Sequence, residues 1–432
     1  MRALLVTLLL SAVLAGLAAC SLFSRPTPEP LVPTVPARVR AQPGASPSAA
    51  AVAATRVALL ASTTPVPTAT VTPVSATPTP APASSATASA VAASSATATV
   101  APTPAPVRVT PTVLAAQIGG GVPAPWGLPV SVRGRVGVGL PLLGIGSFDW
   151  GAAPPGWYLN WTTQPRPDQR ADVAFARMIR LKGDSFSPAL EQIQATAAQN
   201  PGVLWLVGNE PDVPWQDNAT PEQYAATYGT LYKAIKEADP SARVAIGGVS
   251  QPTPLRLAYL DRILAAYKAR HGAEMPVDVW NVHAFILREE RNSWGVGIPP
   301  GMPVDKGTLY EIGNHADMQI FRKQIEGFRR WMAERGQRDK PLVVTEYGVL
   351  MPDEYGFPPD LVSKFMAATF DYFLSAQDAT LGYAADGNRL VQAFCWYSVA
   401  DTMYPTSNLF DAKTRAVTPV GKAFRQYVQA LK

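Results

Sequence analysis

The strongest constraint on the fold is a change of composition near residue 115 of the 432-residue chain. All ten Trp and all fourteen Tyr lie beyond that position, whereas residues 21–115 are mostly Pro, Thr, Ala, Ser and Val in no regular order. Such a segment has too little apolar surface to offset the entropy lost on ordering, so we expect a disordered, partly polyproline-like tether. Residues 116–432 are therefore predicted to form one large domain.

The net charge of +5 belongs to the N-terminal part of the chain and not to this predicted domain. Residues 1–115 contain six of the 37 basic residues and one of the 32 acidic residues, so residues 116–432 contain 31 of each. A neutral domain without a basic cluster argues against nucleic acid as its partner. The scattered Arg residues of the first part are typical of a solvated linker.

The first twenty residues resemble a bacterial lipoprotein signal. An apolar run over residues 3–16 follows Arg2, and Leu17-Ala18-Ala19 stands directly before Cys20. The resemblance implies that residues 1–19 are a cleaved signal peptide and that Cys20 carries a lipid. Residues 20–115 would then link this anchor to a domain outside the cytoplasmic membrane. The alternatives are a secreted protein and an uncleaved N-terminal helix, because an apolar run of about eighteen residues is borderline for crossing a bilayer.

From about residue 140, short apolar runs alternate with longer amphipathic stretches, which is typical of β/α units around a parallel sheet. The predicted strands are residues 140–146, 157–161, 174–181, 203–207, 243–247, 277–284, 341–345 and 391–396. Helices are predicted after Ser187-Pro188, after Thr220-Pro221 and over residues 255–267, 320–332, 362–374 and 420–431. This pattern indicates an α/β fold, a (β/α)8 TIM barrel. A doubly wound sheet is the alternative, although Gly137-Val138-Gly139 lacks the third Gly of a phosphate-binding turn.

One glutamate follows each of two predicted strands, in Gly208-Asn209-Glu210-Pro211 and in Thr345-Glu346-Tyr347-Gly348. Catalytic groups of barrels lie where the strands end, so we expect both carboxyl groups at one mouth. Two facing carboxyl groups suit cleavage of a glycosidic bond, because one protonates the leaving oxygen and the other attacks or stabilises the sugar. Taken singly, each glutamate would be interpreted as a helix cap or a surface carboxylate. The pair predicts a glycosidase that needs neither a cofactor nor a metal ion.

The two motifs resemble the signature of clan A glycoside hydrolases, which are retaining (β/α)8 enzymes, and the match covers most of residues 150–430. Within the clan, the order of four motifs is most similar to the alkali-sensitive-linkage-like glycosyl hydrolase group, which includes endo-β-1,3-glucanases. These motifs are Trp157-Tyr158-Leu159-Asn160-Trp161, residues 208–212, Val282-His283-Ala284 and Thr345-Glu346.

This resemblance implies a role for individual residues. Glu210 matches the general acid/base at the end of the fourth strand, Glu346 the nucleophile at the end of the seventh, and Asn209 the amide that contacts the sugar 2-hydroxyl. His283 resembles a histidine that donates to a carboxylate or to substrate, with a structural strand-end residue as the alternative. Trp396 resembles a tryptophan that stacks under the sugar, with a core tryptophan as the alternative. Further cleft positions implied are Asn160, Trp161, Trp215, Trp280, Trp294 and Tyr347.

Two departures from the clan pattern are visible in the sequence. The first is the strand count, because only about thirty residues separate the predicted strand over residues 174–181 from Glu210, which leaves room for one helix and one strand where the clan has two β/α units. Arg180 resembles an arginine that steadies the nucleophile, with Arg177 as the competitor, when this strand is counted as the second. Counting residues 140–146 as the first strand restores eight strands but places Arg180 on the third. Phe285 stands where many clan members have a tyrosine, so that contact to the nucleophile is absent or comes from Tyr347. The long loop over residues 287–310, which contains Trp294, is a candidate cover for the site.

The pair of glutamates leaves two classes of function to separate. The first is a monomeric, retaining glycosidase acting outside the cell on a β-linked polysaccharide or oligosaccharide, with carboxyl groups roughly 5 to 5.5 Å apart. The second is an inactive barrel that binds carbohydrate at the cell surface. The sequence lacks His-Glu-x-x-His and Gly-x-Ser-x-Gly, which argues against metal-dependent and serine hydrolases. For the active enzyme, we expect a protonated Glu210 and an ionised Glu346.

Overall fold

The computed structural model describes residues 131–431. The predicted signal peptide, the lipid-bearing Cys20, the linker over residues 20–115 and the first fifteen residues of the predicted domain lie outside the described residues. Within residues 131–431, no helix is both long enough and apolar enough to cross a membrane.

Ten strands and six α-helices make up this region. The strands are β1 Val136–Gly139, β2 Trp157–Leu159, β3 Ala174–Phe175, β4 Arg177–Lys182, β5 Ser185–Ser187, β6 Leu204–Asn209, β7 Arg243–Gly248, β8 Trp280–His283, β9 Leu342–Glu346 and β10 Ala393–Trp396. The helices are α1 Leu190–Gln199, α2 Pro221–Ala238, α3 Pro254–His271, α4 Met318–Glu334, α5 Pro359–Ser375 and α6 Pro419–Ala430.

The strands form a parallel, barrel-like arrangement. A six-stranded sheet has the order β3-β2-β1-β10-β9-β8, and a second sheet has the order β5-β4-β6-β7, in which only the short β5 is antiparallel. Parallel bridges between Ala245 and Val279 and between Val249 and Val282 connect β7 to β8. At the other edges, β3 pairs with β2 and β4 pairs with β6, and only Ala176 separates β3 from β4. Pairing of β1 with β10 does not fit an open doubly wound sheet.

We use the name strand ring for β1, β2, the β3–β4 run, β6, β7, β8, β9 and β10, in that order. From the β3–β4 run onward, each member of the strand ring is followed by an α-helix, as predicted. The connections after β1 and β2 contain no α-helix. Four helices begin with a proline: α2, α3, α5 and α6. Proline is tolerated at this position because the N–H that it lacks has no partner within the first turn of a helix. Thr220 and Gln223 complete a capping box at the start of α2.

The prediction of a first strand at residues 140–146 is wrong. The first strand is β1, and residues 145–147 form a short 3₁₀ helix. Leu143 has a positive φ of 59°, and a Cβ on Gly144 would overlap the carbonyl of Pro167, so this apolar run is a packed turn. The sequence pattern does not indicate β1 because two of its four residues are glycines, which are not typical of strands. These glycines are required for packing. A Cβ on Gly137 would lie 2.5 Å from the Trp157 ring.

An aromatic layer packs α4 and α5 against the strand ring. The ring of Tyr347 contacts Phe321 and Phe373 with centroid distances of 5.4 and 5.2 Å. It also contacts Trp396 edge to face at 5.4 Å. Side chains alternate between the two faces of a strand, so a residue that contacts the helices points away from the interior of the ring.

Candidate active site

Glu210 directly follows β6, the fourth member of the strand ring, and has an unusual backbone conformation. Its φ is +45°, a value that non-glycine residues adopt at a cost of about 1–3 kcal/mol unless the surroundings hold them there. The Glu210 N–H donates to the carbonyl of Gly248 at 3.0 Å, and its carbonyl accepts from the Val213 N–H at 3.0 Å. The residue is buried, with 8% of its surface exposed.

Glu346 is the last residue of β9, the seventh member of the strand ring, and is 3% exposed. The indole Nε1 of Trp161 donates to its Oε1 at 2.6 Å. Trp161 follows β2 with a positive φ of 58°, and its ring packs edge to face on Tyr397 at 5.7 Å. A Cβ on Gly139 would lie 3.0 Å from the Trp161 ring, so the glycine leaves space for this indole. The structure therefore places Trp161 in the site, as a donor to Glu346.

His283 ends β8 and lies between the two glutamates, fully buried. Its Nδ1 is 3.0 Å from Glu210 Oε1, and its Nε2 is 3.6 Å from Glu346 Oε1. One donor atom from each of the three residues lies within 4.8 Å of the others, so a carboxylate oxygen of Glu210 is at most this far from one of Glu346. The strand ring thus brings together two carboxyl groups that are 136 residues apart in sequence.

The protonation of His283 and Glu346 is linked. Burial raises the pKa of Glu346 from 4.5 to about 7, with a further contribution from the Glu210 charge, against the opposing effects of His283, Trp161 and Arg180. Burial disfavours a charged His283, but the charge of Glu346 and the hydrogen bond to Glu210 outweigh it and raise the pKa of His283 above 6.5. Two groups that interact in this way titrate as a unit. The raised carboxyl pKa thus lies on the residue expected to be the ionised nucleophile.

The same three side chains form a chemically reasonable donor set for a divalent cation. The sequence predicted no metal site, and no ligand spacing in the chain indicated one. His283 presents a different ring nitrogen to each glutamate, an arrangement that hydrogen bonding and charge already account for.

Asn209 has a buried side chain whose amide N and O both lack a hydrogen-bond partner among residues 131–431. Its backbone N–H donates to Asp217 Oδ2 at 2.6 Å, which holds the end of β6. A buried polar group without a partner is costly and needs an explanation. A ligand hydroxyl next to Glu210 would supply both a donor and an acceptor.

Arg180, on the third member of the strand ring, is the arginine whose charge acts on Glu346. Its Nε donates to Asp217 Oδ1 at 2.8 Å and its Nη2 to Gln216 at 3.0 Å. Its positive charge favours the ionised form of Glu346. Arg177 instead binds the carbonyl of Thr163 and Asn200 Oδ1. The structure therefore favours Arg180 over Arg177.

Two predicted cleft residues point away from the site. Trp396 is fully buried, donates to the carbonyl of Ser407 at 2.9 Å and packs against Phe365 and Phe370 of α5. It offers no free ring face to a sugar, so the packing supports the alternative of a core tryptophan. Tyr347 is likewise buried in the aromatic layer under α4 and α5. Tyr347 therefore cannot supply the contact that is missing because position 285 is a phenylalanine and not a tyrosine.

The remaining predicted residues have structural or peripheral positions. Asn160 accepts from the backbone and hydroxyl of Thr162 and donates to the Gln164 carbonyl, so its side chain shapes its own turn. Trp280 packs on Trp331 at 5.0 Å in the core. Trp215 and Trp294 are half-buried, and the Trp215 ring lies against Gly297 of the loop over residues 287–310. Of these, Trp215 and Trp294 keep an exposed surface for a ligand.

Sequence reasoning missed a buried charged network next to Glu210, formed by Asp212, Arg256 and Glu289. Arg256 stands in the first turn of α3, where a single charge in an amphipathic stretch is typical of a surface residue. The helical spacing of Arg256 could have identified it, because this spacing places it on the buried face of α3 with Leu260 and Ile263. Tyr397, which contacts Trp161, was also missed, although strand alternation places it opposite Trp396.

Residues 148–296 match the model of a family described as "Glycosyl hydrolase catalytic core". The matched stretch contains Glu210 and His283 and ends before Glu346. No curated protein matches the sequence.

Several solved structures are similar to part of the chain. An endo-β-1,3-glucanase of GH128 subgroup II from Sorangium cellulosum is 15% identical, with 68% of this chain and 98% of that chain covered and a TM-score of 0.46. A subgroup II endo-β-1,3-glucanase from Pseudomonas viridiflava is 18% identical, with 68% and 97% covered and a TM-score of 0.47. A curdlan-specific exo-β-1,3-glucanase from Blastomyces gilchristii is 18% identical, with 68% and 98% covered and a TM-score of 0.47.

The match to a glycosyl hydrolase catalytic core and the two facing carboxyl groups identify the chain as a glycosidase. Its substrate is a carbohydrate.

Proposed function

We propose that the protein is a retaining glycoside hydrolase that cleaves β-linked glucan, and that β-1,3-glucan is its substrate. The observation that carries the mechanism is the closeness of the two carboxyl groups, whose nearest oxygens are at most 4.8 Å apart. Retaining enzymes hold these groups about 5 to 5.5 Å apart, whereas inverting enzymes need more than about 6.5 Å to admit a water molecule. The preference for β-1,3-glucan rests on the sequence motifs that resemble the alkali-sensitive-linkage-like group.

In the proposed first step, an oxygen of Glu346 attacks the anomeric carbon while Glu210 donates its proton to the departing glycosidic oxygen. In the second step, Glu210 takes a proton from water, and the resulting hydroxide displaces Glu346 from the sugar. The Trp161 indole and the charge of Arg180 stabilise Glu346 as a carboxylate each time it is released. His283 bonds Glu210 and lies next to Glu346, which limits the cost of moving negative charge between them.

We propose further that the strand ring is a complete (β/α)8 barrel in which loops replace the first two helices. The site lies at the carboxyl ends of its strands, as in other enzymes of this architecture. The unpartnered amide of Asn209 is proposed to bind the sugar 2-hydroxyl beside Glu210.

We also propose that the enzyme is a monomer that works outside the cell, held by a lipid on Cys20. The support is the sequence Leu17-Ala18-Ala19-Cys20 and the Pro-rich segment that follows it. Metabolic labelling with a clickable fatty acid tests this, with Cys20→Ser as the control. Equal labelling of the two proteins would reject the anchor.

The enzymatic proposal is tested by product analysis on a panel of β-glucans, mannans and xylans. We expect cleavage of β-1,3-glucan, and NMR of the first-formed product should show the β-anomer of the new reducing end. An α-anomer would reject double displacement. Oligosaccharide binding without cleavage anywhere in the panel would instead favour an inactive, carbohydrate-binding barrel. Assays with and without a chelator decide whether the Glu210, His283 and Glu346 cluster works with a bound cation.

A further inference from the structure

The buried network beside Glu210 connects three separate parts of the strand ring mouth. Arg256, Asp212 and Glu289 are each 0% exposed. Arg256 Nε donates to Asp212 Oδ2 at 2.6 Å, in the segment that follows β6. Its Nη1 bonds Glu289 Oε1, in the loop that follows β8. One guanidinium of α3 thus joins two loops that leave different strands.

Asp212 forms the end of the network nearest the reacting groups, two residues beyond Glu210. Its carboxylate accepts from the Ser250 N–H at 3.2 Å and from the Ser250 hydroxyl at 2.8 Å. The Ser250 hydroxyl lies 2.7 Å from Arg256 Nε as well. The segment that carries Glu210 is therefore attached to the end of β7 through side chains, in addition to the backbone bond between Glu210 and Gly248.

Glu289 forms the other end and closes the base of the loop over residues 287–310. Its carboxylate accepts from the Thr253 hydroxyl and from the Thr308 N–H, the latter at 2.6 Å. Its carbonyl accepts from the Gly307 N–H at 2.8 Å. The two sides of the loop base are thus joined through one residue, and that residue is bonded to Arg256.

The middle of the same loop also depends on Arg256. Its Nη2 lies 3.3 Å from the carbonyls of Val296 and Gly297. A Cβ on Gly297 would lie 3.4 Å from the Trp215 ring, so the loop backbone at this point lies close to the indole. Trp215 belongs to the segment that follows Glu210. Arg256 therefore holds the stretch of loop backbone that lies next to the indole.

We propose that Arg256 is a positioning residue that presents Trp215 as a platform for a sugar unit of a long glucan, away from the bond that is cleaved. A planar guanidinium can serve two carboxylates and two carbonyls at once, which a lysine ammonium cannot match. An apolar side chain would fill the space without ordering the loops, since removal of one partner leaves the buried carboxylates uncompensated. Arg256 contacts neither reacting carboxyl group, so its effect is on substrate binding. The kinetic part of this proposal rests on the proposed glucan hydrolase.

The experiment compares Arg256→Lys and Arg256→Met with Arg329→Met in the full chain. Arg329 is the matched control because it is also fully buried, and it binds the Leu390 carbonyl and Gln392 Oε1 before β10 begins, at the opposite end of the strand ring. We measure kcat and KM on laminarihexaose and laminaritriose. Arg256→Met should raise KM for the longer substrate about tenfold and change kcat less than about threefold. Arg256→Lys should recover part of the affinity, and Arg329→Met should leave KM unchanged. Equal effects of the Arg256 and Arg329 variants on KM, or a loss confined to kcat, would overturn the proposal.

A second measurement separates this proposal from the proposed function. Hydrogen exchange of the Val296, Gly307 and Thr308 amides reports the order of the loop without any substrate. We expect faster exchange in both Arg256 variants and unchanged exchange in the Arg329 variant, with Arg256→Lys serving where Arg256→Met does not fold. Wild-type protein that cleaves no glucan would reject the hydrolase, whereas unchanged exchange in the Arg256 variants would reject Arg256 as the residue that orders the loop.

Discussion

Both ends of the strand ring contain buried charged groups, but the hydrogen-bond partners of these groups differ between the two ends. At the amino ends, Arg135 forms two 2.6 Å bonds to Asp386 and a third to the Gln392 carbonyl. At the carboxyl ends, two carboxyl groups share one imidazole, and the adjacent Asn209 amide has no partner among the described residues. The ion pair at the amino ends serves stability, whereas the groups around Glu210 at the carboxyl ends keep hydrogen-bonding capacity for a substrate. Four experiments test this division of roles.

The largest expected effect is loss of activity in Glu346→Gln. An amide cannot form the glycosyl ester, so we expect kcat to fall about 10⁴-fold while the protein stays folded. Glucan hydrolysis and circular dichroism measure the two properties. Glu274→Gln is the control, since this glutamate is exposed and, within residues 131–431, forms an ion pair only with Lys268. A fall of less than tenfold would remove Glu346 from the role of nucleophile.

Asp386→Asn should have the largest effect on stability. Removing one partner of a buried ion pair leaves Arg135 uncompensated, so we expect the free energy of unfolding to fall by about 3 kcal/mol. KM should be unchanged, because the pair lies before β1 and β10 begin. Denaturant unfolding and steady-state kinetics check both. A substantial change in KM would show that the two ends are not independent.

Asn209→Ala should show the opposite balance. The side chain loses no hydrogen bond within the described residues, so stability should change by less than about 1 kcal/mol. A missing contact to the sugar that strengthens in the transition state should lower kcat/KM about 10²-fold. A marked loss of stability with normal kinetics would instead identify Asn209 as a structural residue.

The smallest expected effect is a pH-dependent gain in stability for Glu346→Gln. In the folded protein the pKa of Glu346 is about 7, against an ordinary value of 4.5, so the folded state binds the proton more tightly than the unfolded state. This contribution to stability is complete below pH 4.5 and is lost as the pH rises through 7. The amide of the variant does not titrate and therefore shows no such loss.

We therefore expect the Glu346→Gln variant to be about 1–2 kcal/mol more stable than wild type at pH 8 and equal at pH 4. The gain is limited because His283 loses an ionic partner. Thermal unfolding at both pH values measures it, and a variant less stable at pH 8 would contradict the cause given for the pKa.

Sequence reasoning located the groups that strand periodicity places, and failed where the direction of a side chain decides. Glu210, His283 and Glu346 follow regular apolar strands, so their shared position at the carboxyl ends was predictable. Trp396 and Tyr347 stand beside site residues in sequence, but they point to the helices. The strand that carries Gly137 was missed because glycine is not typical of strands. Glycine is needed there because the Trp157 ring packs on it, a contact that the sequence does not show. Arg256 was missed because its partners come from loops distant in sequence.

Gly139 offers a way to modify the site without replacing Glu210, Glu346 or Trp161. It lies on β1, and the space where its side chain would be is taken by the Trp161 ring, whose N–H holds Glu346. A methyl group at position 139 would lie 3.0 Å from the Trp161 ring, so the indole would have to shift and its hydrogen bond to Glu346 would change. A substitution at Gly139 would then change the basicity of Glu346 indirectly, through Trp161. This glycine is therefore an engineering position for the pH range of the enzyme.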